Sequence, residues 1–333
     1  MSIVNEDSQK VKSVTEIQKW TEKKKSSKEM AKKLNMLGGN YKSRAIRMEQ
    51  CGDVLIQTVC PVCGETGTTT AKLCRDRLCP TCQWRLSRAR YAQMMQCIEI
   101  MKPALLECKG FCQMITLTIK NVPLSELKSA IKEMHSAWTR LNHKKPYRQT
   151  MAWSKNLEIT INKRTREAHP HMHILLFWKG EQRSEAEAAA KCLSEQWKAA
   201  LNIDYLPQTD TRNAYVKHKQ ADIIPNENDA IIEASKEAAK YTTKDSQLQK
   251  LSLFELSQFA EAVAGIRFAS YGGLLKKIRS KLGLSDEDYT FNDRVTCHCG
   301  AKLMQCVLEW NGTGYIVKAL QNIEEVVGGA KNE

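Results

Sequence analysis

His169-Pro170-His171-Met172-His173-Ile174-Leu175-Leu176-Phe177-Trp178 is the stretch from which the fold is read. Side chains alternate between the two faces of a β-strand. As a strand, this segment projects His169, His171 and His173 to one side and Met172 and Ile174 to the other. Two imidazoles about 7 Å apart along one face can hold a single metal ion. The chain has 7 His, and three fall within this span. That clustering favours a ligand set over a strand that merely turns polar side chains to solvent.

Two imidazoles leave a metal with open positions, so a third ligand is expected. Residues 156–162 read as the preceding strand, with Glu158, Thr160 and Asn162 on one face. If the two strands pair antiparallel, parity allows Glu158 beside the His face. A His/His/Glu set with room for water and a phosphate oxygen suits Mg²⁺ or Mn²⁺. The ion's work there would be to polarise and orient a phosphodiester.

Working outward, 114–119 (Met-Ile-Thr-Leu-Thr-Ile) alternates as a strand, and Pro123 and Leu124 open a helix carrying Leu127, Ile131, Trp138 and Leu141. Residues 184–201 read as one Ala-rich helix, 213–218 as a fourth strand, and 230–244 and 251–264 as helices. The order β-α-β-β-α-β-α predicts an α+β domain: a ferredoxin-like or RNA-recognition-like antiparallel sheet with helices on one face.

The 333 residues carry 51 Lys and Arg against 37 Asp and Glu, a net charge of +14. Such a balance favours polyanionic partners. Between Lys10 and Gln50 there are 12 Lys or Arg against four Glu. This mostly helical arm, broken at Gly38-Gly39, is expected to meet nucleic acid. No apolar run has transmembrane length, and the N-terminus lacks the apolar core of a signal peptide, so the reading places the protein in the cytosol, away from membranes.

The 13 Cys should then stay reduced, and clustered Cys point to metal. Cys60-Pro-Val-Cys63 and Cys79-Pro-Thr-Cys82 form two C-x-x-C knuckles, the spacing of a structural Zn²⁺ site with four thiolates. Cys74 is a spare that could replace one ligand. Arg75, Arg77, Arg85, Arg88 and Arg90 surround the second knuckle and suit phosphate contact. A further group, Cys297, Cys299 and Cys306 with His298, fits either zinc or free thiols.

On the predicted helix 230–244, Glu237 and Tyr241 are four residues apart, one turn along one face, and Lys244 joins the same stripe. Tyrosine is a poor nucleophile while protonated, and a nearby metal or cation lowers its pKa or stabilises the developing charge.

Together these residues resemble the rolling-circle replication initiators of small bacterial plasmids, within the HUH (His-hydrophobic-His) endonuclease superfamily. The 114–121 strand is similar to the family's first motif. His169-Pro-His-Met-His173 is similar to the second, with His171 and His173 as the HUH pair. Residues 237–244 are similar to the third, with its Y-x-x-K pattern. The run from Cys74 to Cys82 is similar to the region upstream in this group. The resemblance covers roughly 60–282 and is to the subfamily with one tyrosine and a glutamate one turn earlier. It implies that Tyr241 attacks the scissile phosphate at a plasmid double-strand origin, leaving a 5′-phosphotyrosine and a 3′-OH primer. It implies that Glu237 serves as general base at termination and that Lys244 contacts phosphate or the transition state. The implied partners are origin DNA, single-stranded at the nick, with a host helicase and DNA polymerase. His169 is left to brace the pair or touch DNA.

The expected organisation is a basic arm (1–50), a Cys-rich zinc module with a linking helix (51–108), an endonuclease domain (109–282) and a tail with its own Cys cluster (283–333). Two rival readings stay open: a zinc-containing DNA-binding regulator without catalysis, and a transposase of the same superfamily.

Overall fold

A computed structural model describes residues 6–213, 245–285 and 296–322. In chain order it contains α1 (Glu6–Leu37), α2 (Tyr41–Glu49), β1 (Val54–Val59), β2 (Thr66–Ala71) and α3 (Pro80–Glu107). There follow β3 (Phe111–Thr118), α4 (Leu127–Asn142), β4 (Ala152–Ile161), β5 (Ala168–Trp178), α5 (Arg183–Lys191), α6 (Leu193–Leu201) and β6 (Thr209–Asn213). Last come α7 (Asp245–Leu248), α8 (Leu253–Val263), β7 (Ala269–Gly272), α9 (Gly273–Lys281), β8 (Met304–Trp310) and β9 (Tyr315–Asn322). The fold is α+β with antiparallel sheets. Among the described residues, no helix is long and apolar enough to cross a membrane.

The chain divides into two compact units, residues 1–85 with 289–333, and residues 86–288. This differs from four consecutive segments. The basic arm, the Cys-rich stretch up to Arg85 and the tail are one unit, because the tail supplies two strands to a sheet ordered β2-β1-β8-β9, while most of the linking helix α3 falls in the second unit. Val54 to Val59 pair residue by residue with Glu309 to Met304, an antiparallel ladder that no local pattern announces.

Within the first unit, α1 is not a free arm. Trp20, Lys24, Ser27, Ala31 and Leu34 recur at helical spacing and are buried. Two polar members hide this stripe from a hydropathy reading. Burying an ammonium is costly unless it is paired. Lys24 Nζ is paired, donating to the backbone oxygens of Glu49 (2.6 Å) and Cys51 (3.0 Å) and facing Asp53 Oδ1 at 2.5 Å. Arg85, also buried, lies over the rings of Trp20 and Trp84.

The second unit is built on a five-stranded sheet ordered β6-β3-β5-β4-β7. β5 sits at its centre, which explains the unbroken burial from Ile174 to Trp178. One face carries Ile115, Leu117, Leu157, Ile159, Met172 and Ile174, all buried. α4 lies over this face: Trp138 meets Trp153 edge-on with ring centroids 5.5 Å apart, and His135 bonds Lys155. The other face is apolar at one end only. There Cys112, Met114, Ala152, Leu175 and Phe177 pack with Met94, Cys97, Met101 and Leu105 of α3 and Leu275 and Ile278 of α9. Helices therefore cover both faces, not one as expected. α3 begins at Pro80, earlier than its apolar spacing suggests, and α9 follows β7 directly.

Other elements also shift. The Ala-rich helix is two, α5 and α6, parted at Cys192, whose backbone leaves helical geometry (φ −109°, ψ 16°). β6 ends at Asn213, so the predicted 213–218 strand lies almost wholly outside the described residues. α8 is capped by Ser252, whose Oγ accepts from Glu255 N–H while the Glu255 carboxylate accepts from Ser252 N–H. Arg166, in the β4–β5 turn, donates to both oxygens of that carboxylate, at 2.9 and 2.8 Å.

Candidate metal centre and cysteine clusters

The polar end of the second sheet face holds the histidines. Register places His171 opposite Glu158 on β4 and Thr118 on β3, and His173 opposite Asn156 and Thr116. Antiparallel pairing thus puts Glu158 on the same face as the histidines. A single carboxylate oxygen, Glu158 Oε2, lies 3.3 Å from His171 Nε2 and 3.3 Å from His173 Nε2. The three side chains are 12–15% exposed, enough to reach solvent and shielded enough to strengthen charge. Burial alone would push the Glu158 carboxyl up, but the hydrogen bonds and charges of both imidazoles outweigh it and hold it well below the usual carboxylate range.

The imidazoles are aimed from behind. His171 Nδ1 faces the backbone oxygen of His169 at 3.3 Å; a carbonyl can only accept, so this nitrogen keeps its proton when Nε2 ligates a cation. His173 Nδ1 faces Thr116 Oγ1 at 3.2 Å. Both Nε2 atoms are left toward Glu158, the arrangement that ligating histidines adopt. These three groups could hold a metal ion. The set fits a hard divalent cation, with two neutral nitrogens, one anionic oxygen and open positions. Thr116 escaped the sequence reading because its partner is 57 residues away on a neighbouring strand. His169 stands outside the set; its Nδ1 is 2.9 Å from Asn121 Oδ1, so it braces the loop after β3. Burial first, then the neighbouring His171, lowers its pKa.

Tyr241, Glu237 and Lys244 lie outside the described residues. The chain resumes at α7, where Gln247 Oε1 accepts from Ile161 N–H at 3.3 Å, three residues along β4 from Glu158.

The cysteines depart from expectation. The knuckles Cys60/Cys63 and Cys79/Cys82 do not share one site. Cys79 and Cys82 gather with Cys51 and Cys74, and Cys60 and Cys63 gather with Cys297 and Cys299. Cys74 is a full member of its group, not a spare. The reason is topological: Cys60 follows β1, whose ladder with β8 brings the 297–299 turn alongside, whereas Cys79 opens α3. Cys306 belongs to neither group; it is a buried residue of β8 opposite Gln57. Cys51 carried one overlooked signal, the following Gly52 in a left-handed turn (φ +71°). Either group of four could hold a metal ion.

Comparison with known proteins bears on this architecture directly. The sequence model of the replication-protein family matches residues 66–315. A "Protein rep" of Lentilactobacillus hilgardii is 32% identical over 276 residues, covering 81% of this chain and 84% of that protein. A "Protein rep" of Streptococcus pneumoniae serotype 2 (strain D39 / NCTC 7466) is 30% identical over 312 residues, 90% of this chain and 92% of the relative. A "Replication protein" of Staphylococcus aureus is 28% identical over 217 residues. No solved structure matches the chain. The match over most of the chain, with relatives aligned nearly end to end, means that the chain belongs to the replication-protein family, the rolling-circle plasmid initiators that its motifs resemble.

Proposed function

We propose that the second unit is a metal-dependent nicking and closing endonuclease that opens one strand at a plasmid double-strand origin. The observation that carries this reading is the carboxylate oxygen shared at 3.3 Å by two imidazole Nε2 atoms. Glu158, His171 and His173 would hold Mg²⁺ or Mn²⁺ there, and the bound ion would supply Lewis-acid polarisation of a phosphate oxygen. Glu158, His171 and His173 fix the position of that oxygen and so orient the phosphorus for in-line attack.

Tyr241 is the nucleophile in this proposal. Its phenol oxygen gives its proton to solvent and bonds to phosphorus while the bond from phosphorus to the 3′ oxygen breaks; that oxygen takes a proton from solvent and leaves as the 3′-OH that primes synthesis. The 5′-phosphotyrosine conserves the energy of the diester. Tyr241 precedes Gln247 by six residues in the sequence, and Gln247 Oε1 accepts from Ile161 N–H on the strand that carries Glu158; this link between the following segment and β4 supports the assignment. Lys244 meets the developing phosphate charge. Glu237 accepts a proton from water at the second cleavage, so that hydrolysis ends the cycle. A host helicase unwinds the duplex and a DNA polymerase extends from the 3′-OH in the cytoplasm.

The test is a labelled single-stranded origin oligonucleotide incubated with the full chain and Mn²⁺. Wild type should cut and become covalently labelled, and peptide mapping should find the label on Tyr241. Tyr241→Phe should do neither; undiminished attachment by that variant removes the mechanism and favours a DNA-binding regulator. Glu237→Ala should leave initiation largely intact and accumulate multimeric single strands.

A further inference from the structure

The first unit contains two sulfur clusters of different character, and neither enters the nicking chemistry. We infer that each binds one zinc ion, giving two Cys₄ sites per chain: a buried one at Cys51, Cys74, Cys79 and Cys82, and a surface one at Cys60, Cys63, Cys297 and Cys299 that staples the C-terminal hairpin to the N-terminal one.

Spacing supports metal over disulfide in both. Neighbouring Sγ atoms lie 3.5 Å apart for Cys51–Cys82 and Cys74–Cys82, 3.5 Å for Cys60–Cys299 and 3.4 Å for Cys63–Cys297. Bonded sulfurs stand about 2.05 Å apart. Four thiolates at about 2.3 Å from a common ion stand about 3.8 Å apart. The observed values lie close to the second figure and far from the first.

The backbone is arranged for thiolates rather than thiols. Cys63 N–H donates to Cys60 Sγ at 3.4 Å, Cys74 N–H to Cys51 Sγ at 3.4 Å, and Arg75 N–H to Cys82 Sγ at 3.2 Å. Such donors offset the negative charge of a tetrathiolate. Left-handed residues follow four of the cysteines and let the chain turn back beneath the sulfur: Gly52 (φ +71°), Gly64 (φ +71°), Arg75 (φ +56°) and Gly300 (φ +82°). In the surface site each turn closes on the carbonyl of its first cysteine. Cys60 accepts from Gly64 N–H and Cys297 from Gly300 N–H through their carbonyls, both at 3.0 Å.

The two sites differ in access. Cys51, Cys79 and Cys82 are at most 1% exposed, and Ser27 Oγ lies 3.3 Å from Cys79 Sγ, so α1 is fastened to that site. In the other, Cys63 and Cys299 are exposed. It joins cysteines more than 230 positions apart in sequence. Closing so long a loop adds a second restraint to the β1–β8 ladder. Its ion should leave first under a chelator. Glu65 and His298 form the competing ligand set: Glu65 Oε2 lies 3.0 Å from Cys297 Sγ and 2.5 Å from His298 Nδ1. The four-sulfur set is favoured because zinc prefers thiolate and the Glu65–His298 pair satisfies itself.

Zinc measured by mass spectrometry on the purified full chain should give two ions per chain. Cys299→Ala, an exposed position, should retain the fold and lose one. Cys74→Ala should lose the other. A chromogenic chelator should take one equivalent from wild type rapidly and the second slowly, with the rapid phase absent in Cys299→Ala. Co²⁺-substituted protein should show thiolate charge-transfer intensity for two four-sulfur centres, unchanged by Glu65→Gln with His298→Ala. One zinc or none in wild type, or two retained in Cys299→Ala, overturns the inference. Loss of an ion in the Glu65/His298 variant also overturns the Cys₄ assignment of the surface site.

Discussion

Replacing Thr116 with valine tests how the sheet presents His173 to a cation. Valine keeps the β-branched shape and removes only the hydroxyl that faces His173 Nδ1 at 3.2 Å. When Nε2 takes a metal, the ring proton must sit on Nδ1, and Thr116 Oγ1 accepts it. A neutral side-chain hydrogen bond contributes about 1 kcal/mol, and the groups that orient ligating imidazoles are worth about 10–100-fold in metal affinity. The bond is long, and His171 keeps its own backbone acceptor at 3.3 Å whatever happens at Thr116. The lower end therefore applies. Mn²⁺ should bind about 5–10-fold more weakly, a loss of about 1–1.4 kcal/mol. Isothermal titration of the full chain with Mn²⁺ measures this, and thermal unfolding of the metal-free protein shows whether the fold is intact. His171→Ala should abolish the titration signal and serves as the reference. A wild-type Kd in Thr116→Val, with an unaltered melting curve, would refute the claim that β3 orients the ligand.

Three further outcomes follow from the second unit. Lys155 is buried, and burial first, then Arg267, bring its pKa from 10.5 down to about 8, while His135, lowered to about 4 by burial and by Lys155 and Arg267, stays neutral and accepts from it at 2.7 Å. A lysine that deprotonates early in the native state penalises folding below pH 8 and is relieved as pH rises from 8 to 10.5. The relief is at most about 3 kcal/mol, and urea unfolding should show that rise in wild type and not in Lys155→Met. Glu255 is held down to about 2, from 4.5, chiefly by Arg166. Its contribution is complete above pH 4.5 and is lost as pH falls toward 2, so Glu255→Gln should flatten that acid limb; an unchanged limb would show that the pair does not support the fold. At Gly272 an added Cβ would stand 2.1 Å from Trp153 Cε2, so Gly272→Ala must displace that ring and should destabilise by about 1–3 kcal/mol in denaturant titration.

The grouping of Glu158, His171 and His173 was legible because its information is local. His171 and His173 are two apart on one strand, and a period of two alone puts them on one face. Glu158 needed one further assumption, antiparallel pairing, which a short β4–β5 turn favours. The central sheet was legible for the same reason: Met114 to Leu117, Leu157 to Ile161 and Met172 to Ile174 alternate or run apolar over whole strands. What escaped was long-range or masked by polarity. The buried stripe of α1 includes Lys24 and Ser27, whose burial depends on carbonyls and sulfurs from other segments. The second helical layer depends on α3 and α9, distant in sequence from the strands they cover.

Residue type and spacing by themselves determined that this chain carries a His-rich strand, sulfur knuckles and a positive charge suited to DNA. Only the tertiary structure decided which sulfurs meet. A C-x-x-C pair specifies two ligands from one turn and says nothing of where the other two come from. That choice falls to the β1–β8 ladder, a contact between segments some 250 residues apart whose register is set by burial across the whole sheet.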